Sequence, residues 1–270
     1  MSWTTRVCET NGIDVHYLRT GGDKPPLILL HGLLGNGACW TPVARALEDE
    51  YDLVMPDARG HGRSSTPLHG YRYDDHASDV IGLIRSLGLA SPSVLGHSMG
   101  GMTAAVVASR IAEIIGSVIL VDPTFLSPER QREVCDSDVA EQHRRMLDLD
   151  QRELEARLRA RHARRSPEMV ELLVAARVQT TMRAFDVLTP PNPEYRRLVS
   201  TIGVPILLAI GDRGDPPVVS LETARELQNL NPRLRVEQIQ DAGHGVPFDQ
   251  PERLAAVVRS FLRSVLRTVA

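Results

Sequence analysis

From Leu27 onward, short apolar runs alternate with helix-length periodic stretches, and this alternation restricts the possible folds more than any other feature of the chain. The runs are Leu27–Leu30, Asp52–Met55, Ser93–Leu95 and Ser117–Val121, separated by periodic stretches near Trp40–Leu47, Asp74–Leu87 and Met99–Ala112. Such β-α-β alternation implies a mostly parallel twisted sheet with helices on both faces. Ahead of it, Ile13–Leu18 alternates apolar with polar residues and ends at Gly21-Gly22, which reads as an N-terminal antiparallel hairpin.

The alternation stops after Asp122-Pro123. It resumes at Pro205–Ile210, followed by a helix at Leu221–Leu227, a strand at Leu234–Ile239 and a last helix from Pro251. Residues 1–123 and 201–270 therefore form one α/β core, and residues 124–200 an insertion. Within the insertion Met169, Leu172, Leu173 and Ala176 fall at i, i+3, i+4 and i+7, one face of a helix. Open α/β sheets bind ligands at the carboxyl ends of their strands, where a helical cap insertion would lie. Phe125, Met146, Met182, Phe185 and Leu188 could line an apolar pocket beneath that cap, or equally form its own core. Arg157, Arg159, Arg161, Arg164 and Arg165 crowd one segment; with Glu153 and Glu155 at helical spacing, they read as a solvated, ion-paired face.

Composition excludes several classes of partner. Thirty-one basic against 34 acidic residues leave a formal charge of -3, without the basic excess that nucleic acid or an anionic membrane attracts. No apolar run approaches the roughly 20 residues that span a bilayer. The segment Met1–Asn11 lacks the basic start and apolar stretch of a secretory signal. Cys8, Cys39 and Cys135 are odd in number and widely spaced, with neither a Cys-x-x-Cys pair nor metal-ligand spacing. A cytoplasmic protein with reduced thiols, no metal and a small-molecule substrate is expected.

The chemistry centres on Gly96-His97-Ser98-Met99-Gly100-Gly101, a G-x-S-x-G string lying directly after an apolar strand and before a helix-forming run. That context defines a nucleophile elbow: a tight strand-to-helix turn exposes the serine, and side chains at Gly96 or Gly100 would crowd neighbouring elements. The helix that follows aims unsatisfied N–H groups and its positive end at Ser98, so Met99 N–H is one candidate donor to a developing oxyanion. The loop His31-Gly32-Leu33-Leu34-Gly35 follows the strand Leu27–Leu30 and supplies the other, Leu33 N–H. His31 itself is expected to pack beneath that loop and hold it by hydrogen bonds.

A serine hydroxyl needs a base, and histidine, with an ordinary pKa of about 6.5, suits that task. Of nine histidines, His244 lies in a glycine-flanked loop between the last strand and the last helix, from which it can reach across the strand ends. His97 adjoins the nucleophile but points elsewhere, and His61 sits in a structural loop. The orienting acid has three candidates: Asp215, which is favoured, Asp212 in the same loop, and Asp122 at the end of the preceding strand.

Taken together, Leu29-Leu30-His31-Gly32, Trp40, Asp57-Ala58-Arg59-Gly60-His61-Gly62-Arg63-Ser64, Gly96–Gly101, the Asp215 loop and Gly243-His244 resemble the α/β-hydrolase superfamily. The resemblance is to its small bacterial esterases, lactonases, perhydrolases and carbon–carbon bond hydrolases, and it runs over almost all of the chain except the cap. It implies the α/β-hydrolase fold and a serine hydrolase cleaving a carboxylic ester or lactone through an acyl-enzyme, with Ser98, His244 and Asp215 catalytic and no cofactor. A carbon–carbon hydrolase or lyase using the same residues is the alternative. One departure stands out: relatives commonly place the acid three residues after the glycine, whereas Asp215 lies four after Gly211.

Overall fold

A computed structural model describes residues 3–213 and 217–269. Eight strands form one sheet: β1 (Thr4–Thr10), β2 (Ile13–Arg19), β3 (Pro26–Leu30), β4 (Asp52–Pro56), β5 (Ser93–His97), β6 (Ser117–Val121), β7 (Ile206–Gly211) and β8 (Leu234–Ile239). Their spatial order is β1-β2-β4-β3-β5-β6-β7-β8. β3 to β8 run parallel, whereas β2 pairs antiparallel with both β1 and β4. The expected hairpin is therefore present, but it turns at Asn11-Gly12, where both residues have positive φ, rather than ending at Gly21-Gly22. Asn-Gly is the dipeptide that a two-residue turn between twisted strands favours.

The helices of the core are α1 (Thr41–Leu47), α2 (Tyr73–Ser86), α3 (Met99–Arg110), α9 (Leu221–Leu230) and α11 (Pro251–Val269). Successive residues of a strand face opposite sides of the sheet, and the core divides accordingly. Ile28, Val94, Val118, Leu120, Ile206 and Leu208 point into one apolar layer with α2, α3 and α9. Leu27, Leu29, Leu95, Ile119, Val121 and Leu207 point into the other, where α1 and α11 lie. On α11 the buried positions Leu254, Ala255, Val258, Phe261 and Leu262 recur with the helical period, so one face closes the sheet.

Between β6 and β7 the chain builds α4 (Pro128–Cys135), α5 (Val139–Leu147), α6 (Gln151–Arg161), α7 (Pro167–Val178), a 3₁₀ turn (Met182–Leu188) and α8 (Tyr195–Thr201). Ser127, Asp150 and Ser166 cap α4, α6 and α7 by accepting from backbone N–H groups in the first turn. The last helix of this stretch belongs with the core: Val199 and Ile202 are buried in the first layer, and Asn231 Nδ2 donates to both of their carbonyls. No helix among the described residues is long and apolar enough to cross a membrane.

Several buried histidines give the fold a pH dependence with a definite sign. Burial pushes His76 and His97 down to about 3, and His31 and His61 are lowered for the same first reason. These rings are neutral when folded, while the unfolded chain takes up protons as the pH falls below about 6.5. Their stabilising contribution is complete above that value and is lost as the pH drops toward 3. At pH 5 His76 and His97 each cost about 2 kcal/mol. Urea midpoints should therefore fall between pH 7.5 and pH 5, by a smaller amount in a His76→Gln variant. Equal midpoints at the two pH values would contradict the burial of these rings in their neutral form.

Candidate active site

Ser98 stands at the tip of β5, one step beyond the last pair of the β5–β6 register, His97 with Val121. Its backbone takes φ 54° and ψ −118°, a left-handed conformation that a non-glycine residue holds only under constraint from its surroundings. Here Ser98 N–H donates to Val121 O at 3.0 Å, and Gly101 and Met102 N–H return to Ser98 O. A Cβ on Gly96 would overlap the Gly100 carbonyl, and one on Gly100 would strike the Leu30 and His31 carbonyls. Both glycines are thus required by the closeness of the turn, as the motif predicts.

His244 comes to this point from the loop after β8, just ahead of the short helix α10 (Val246–Asp249). Its Nε2 lies 3.0 Å from Ser98 Oγ, and its Nδ1 lies 2.6 Å from Asp122 Oδ2. Nδ1–H therefore donates to the carboxylate, leaving the Nε2 lone pair to face the hydroxyl. Asp122 follows directly on β6, next to Ser98 across the strand ends, and is fully buried. Its carboxylate is satisfied twice more: Oδ2 accepts from Val218 N–H and Oδ1 from Val219 N–H, both at 2.9 Å. A buried carboxylate with three donors is held in place.

Of the three candidates for the acid, Asp122 is the one that the described residues place on His244. Asp215 lies outside the described residues, and the carboxylate on His244 Nδ1 is that of Asp122. An imidazole Nδ1 carries one proton, so this bond occupies the position that an orienting acid takes. The physical reason is the strand end: β6 delivers a residue with φ 39° beside Ser98, turning its side chain toward His244. From the segment after β7, the Val218 and Val219 amides reach Asp122. Asp212 is occupied elsewhere, accepting from Asp241 N–H at 2.8 Å.

The remaining histidines take structural places. His31 donates from Nδ1 to Gly32 O at 2.8 Å and accepts at Nε2 from Ala58 N–H at 2.9 Å, tying two loops together. His61 is buried with Nδ1 against Arg59 O. His97 Nε2 donates to the backbone carbonyl of His244 at 2.8 Å, and its ring lies 4.9 Å from that of His244. A neutral, buried imidazole thus fixes the loop that carries His244.

Above Ser98 the loop Gly32–Gly35 closes on itself through Gly35 N–H to Gly32 O. A Cβ on Gly32 would sit 3.1 Å from Ser98 Cβ, so the loop approaches the elbow as closely as the backbone permits. Among the described residues neither Leu33 N–H nor Met99 N–H has a protein acceptor. Leu33 lines the cleft beside Ser98, and Met99 opens the helix that follows it.

The cleft over these groups encloses about 200 Å³ and is lined by the Gly32–Gly35 loop, His97, Ser98, His244, Gly245 and Phe248 below. Leu158, Arg161, His162, Arg165, Leu173 and Arg177 of the insertion line it above. None of the five residues proposed from sequence for the pocket is among them. Phe125 is buried in the first core layer and stacks on Tyr195, and Phe185 is buried against His143 within the insertion. The arginine segment divides. Arg157 pairs with Glu153 at 2.7 Å as an exposed helical pair, but Arg161 and Arg165 face the cleft. Arg177 was not singled out; its signal is that it follows Val170 and Leu173 at i+7 and i+4 on α7, a cation on an inward stripe.

Comparison with known proteins places this geometry. The family described as alpha/beta hydrolase fold matches residues 25–251. An N-formylmaleamate deformylase of Pseudomonas putida is 31% identical over 261 residues, covering 93% of this chain and 94% of the relative. A 2-(acetamidomethylene)succinate hydrolase of Mesorhizobium japonicum is 25% identical, with 91% and 90% covered. Among solved structures, the enol-lactonase from Burkholderia xenovorans superimposes with a TM-score of 0.79 at 25% identity, over 96% of this chain and all of that one.

Proposed function

The chain belongs to the alpha/beta hydrolase family, and on that premise we propose that it is a serine hydrolase that cleaves a carboxylic ester or lactone of a small molecule through an acyl-enzyme on Ser98. The observation that carries this reading is the unbroken run from Asp122 through His244 to Ser98, with spacings of 2.6 and 3.0 Å. His244 Nε2 accepts the Ser98 proton as Oγ bonds to the substrate carbonyl carbon, and the carbonyl electron pair moves onto oxygen. Leu33 and Met99 N–H receive that oxyanion, aided by the positive end of α3. As the carbonyl re-forms, the bond to the leaving alcohol breaks and His244 returns the proton to it. Water then enters, loses its proton to His244, and releases the acid from Ser98 by the same steps reversed. Asp122 stays ionised throughout and stabilises the imidazolium.

A second reading keeps every residue in its role and moves the scissile bond from oxygen to nitrogen. It is favoured by the names of two relatives that match over nine-tenths of this chain, a deformylase and a 2-(acetamidomethylene)succinate hydrolase. The three unpaired cysteines fit a reducing compartment, so we assign the reaction to the cytoplasm.

Product analysis distinguishes the two readings. Matched pairs of acyl esters and acyl amides with one common amine or alcohol scaffold should show ester or lactone turnover above amide turnover. Turnover of the amide at equal or greater kcat/KM would transfer the assignment to nitrogen, and turnover of neither would overturn both.

A further inference from the structure

The insertion presents a cationic wall to the cleft, and its members are not equivalent. Arg165 is committed: its Nε donates to Asp249 Oδ1 at 3.0 Å and its guanidinium lies 5.2 Å over the Phe248 ring. Arg177 is not. It is 8% exposed, its Nε is buried without a hydrogen-bond partner, and it has no ion pair among the described residues. Burial and the neighbouring charge of Arg161 push it down to about 10, which still leaves it protonated at neutral pH.

A buried guanidinium with no counter-charge opposes folding, because its lost hydration is not repaid by any protein group. Val170 and Leu173, on the same face of α7, show that this stripe points inward, so the charge is not a solvated surface feature. Arg161 lines the same cleft from the end of α6, is exposed, and also lacks an ion-pair partner among the described residues. His162, between them in the lining, is lowered to about 4 by burial and the surrounding arginines, and so contributes no further charge. Asp249, next to the lining residue Phe248, is already paired with Arg165. The cleft therefore holds a cation in excess, fixed in place and facing the space over Ser98.

We propose that the substrate carries a free carboxylate, received by Arg177 with Arg161 as a second cation at the rim, while its scissile acyl group lies on Ser98. This specifies the substrate class of the proposed hydrolase and rests on that reading. The planar guanidinium fork matches the two oxygens of a carboxylate, which gives orientation as well as charge. One end of the substrate is anchored in the insertion and the other is presented to the nucleophile. The insertion thus selects acids over neutral compounds of equal length.

The test compares mono-4-nitrophenyl adipate with 4-nitrophenyl hexanoate, which share leaving group and carbon count and differ in the terminal carboxylate. Wild-type protein should favour the acid by about 10- to 100-fold in kcat/KM, the range of a charge-assisted hydrogen bond. In Arg177→Met that ratio should collapse toward 1, with partial recovery in Arg177→Lys. Adipate should also inhibit wild-type hydrolysis of the hexanoate competitively while adipamide does not, a measurement that needs no variant. Hydrolysis of both esters by wild type without preference, or a ratio unchanged in Arg177→Met, overturns the carboxylate site and leaves the hydrolase reading standing. Wild-type protein that cleaves neither ester overturns both.

Discussion

Replacing Ser98 with alanine lowers kcat for a short-chain nitrophenyl ester by a factor on the order of 10⁶, the loss seen when a nucleophile that acts as a unit with its base is removed. The reason is local. Ser98 Oγ is the hydroxyl within 3.0 Å of His244 Nε2, and without it the base has no nucleophile to activate. What remains is water attack assisted by the Leu33 and Met99 amides, worth about 10³ over solution. The substitution removes one oxygen and keeps the Cβ that the strained turn already accommodates, so the urea midpoint should stay close to that of the wild type. An alanine variant that retained a tenth of the activity would show that the chemistry is done elsewhere.

Asp122→Asn should cost about 10⁴ in kcat and, unlike Ser98→Ala, should also destabilise the fold. The carboxylate serves three donors, namely His244 Nδ1–H and the Val218 and Val219 amides. An asparagine offers one acceptor oxygen and one NH₂, so an N–H must face another donor in a fully buried place. That leaves a donor unsatisfied, at about 1–3 kcal/mol. If the amide oxygen takes the Oδ1 place beside Val219 N–H, the NH₂ faces both Val218 N–H and His244 and selects the tautomer that cannot accept from Ser98. Asp215→Asn is the informative companion. A larger loss of kcat there than in Asp122→Asn would return the orienting role to the loop after β7.

The contrast between these two aspartates shows where sequence reading reaches its limit. Motifs confined to one element were legible. The strand β5, the glycines around Ser98 and the start of α3 are adjacent in the chain, and steric rules alone dictate the turn between them. The strands were legible for a similar reason: a run such as Ser117–Val121, buried at every position, has no other stable place than the middle of a sheet. His244 was recoverable because a loop after the last strand must pass over the strand ends.

The acid was not recoverable in the same way, since several aspartates follow strands in the sequence and Asp122 reaches His244 through a positive φ. No letter in Asp122-Pro123 reports that angle. The wall of the cleft failed for a different reason. Large apolar residues of the insertion were candidates for lining, yet Phe125 packs into the core layer and Phe185 against His143, while the arginines that face Ser98 resemble an ion-paired surface helix. Only the helical phase of Arg177 against Val170 and Leu173 distinguished it, and phase yields direction only once the facing element is known. The turn at Asn11-Gly12 is the opposite case, a dipeptide whose turn preference is readable from the letters alone.

The most direct measurement is intact-protein mass spectrometry after brief exposure to a fluorophosphonate, followed by peptide mapping. An activated serine loses its proton to the imidazole and displaces fluoride, so wild-type protein should gain one adduct, mapped to Ser98, and Ser98→Ala should gain none. Protein that stays unmodified, or carries the phosphonate on any other residue, would contradict the assignment of Ser98 as the nucleophile.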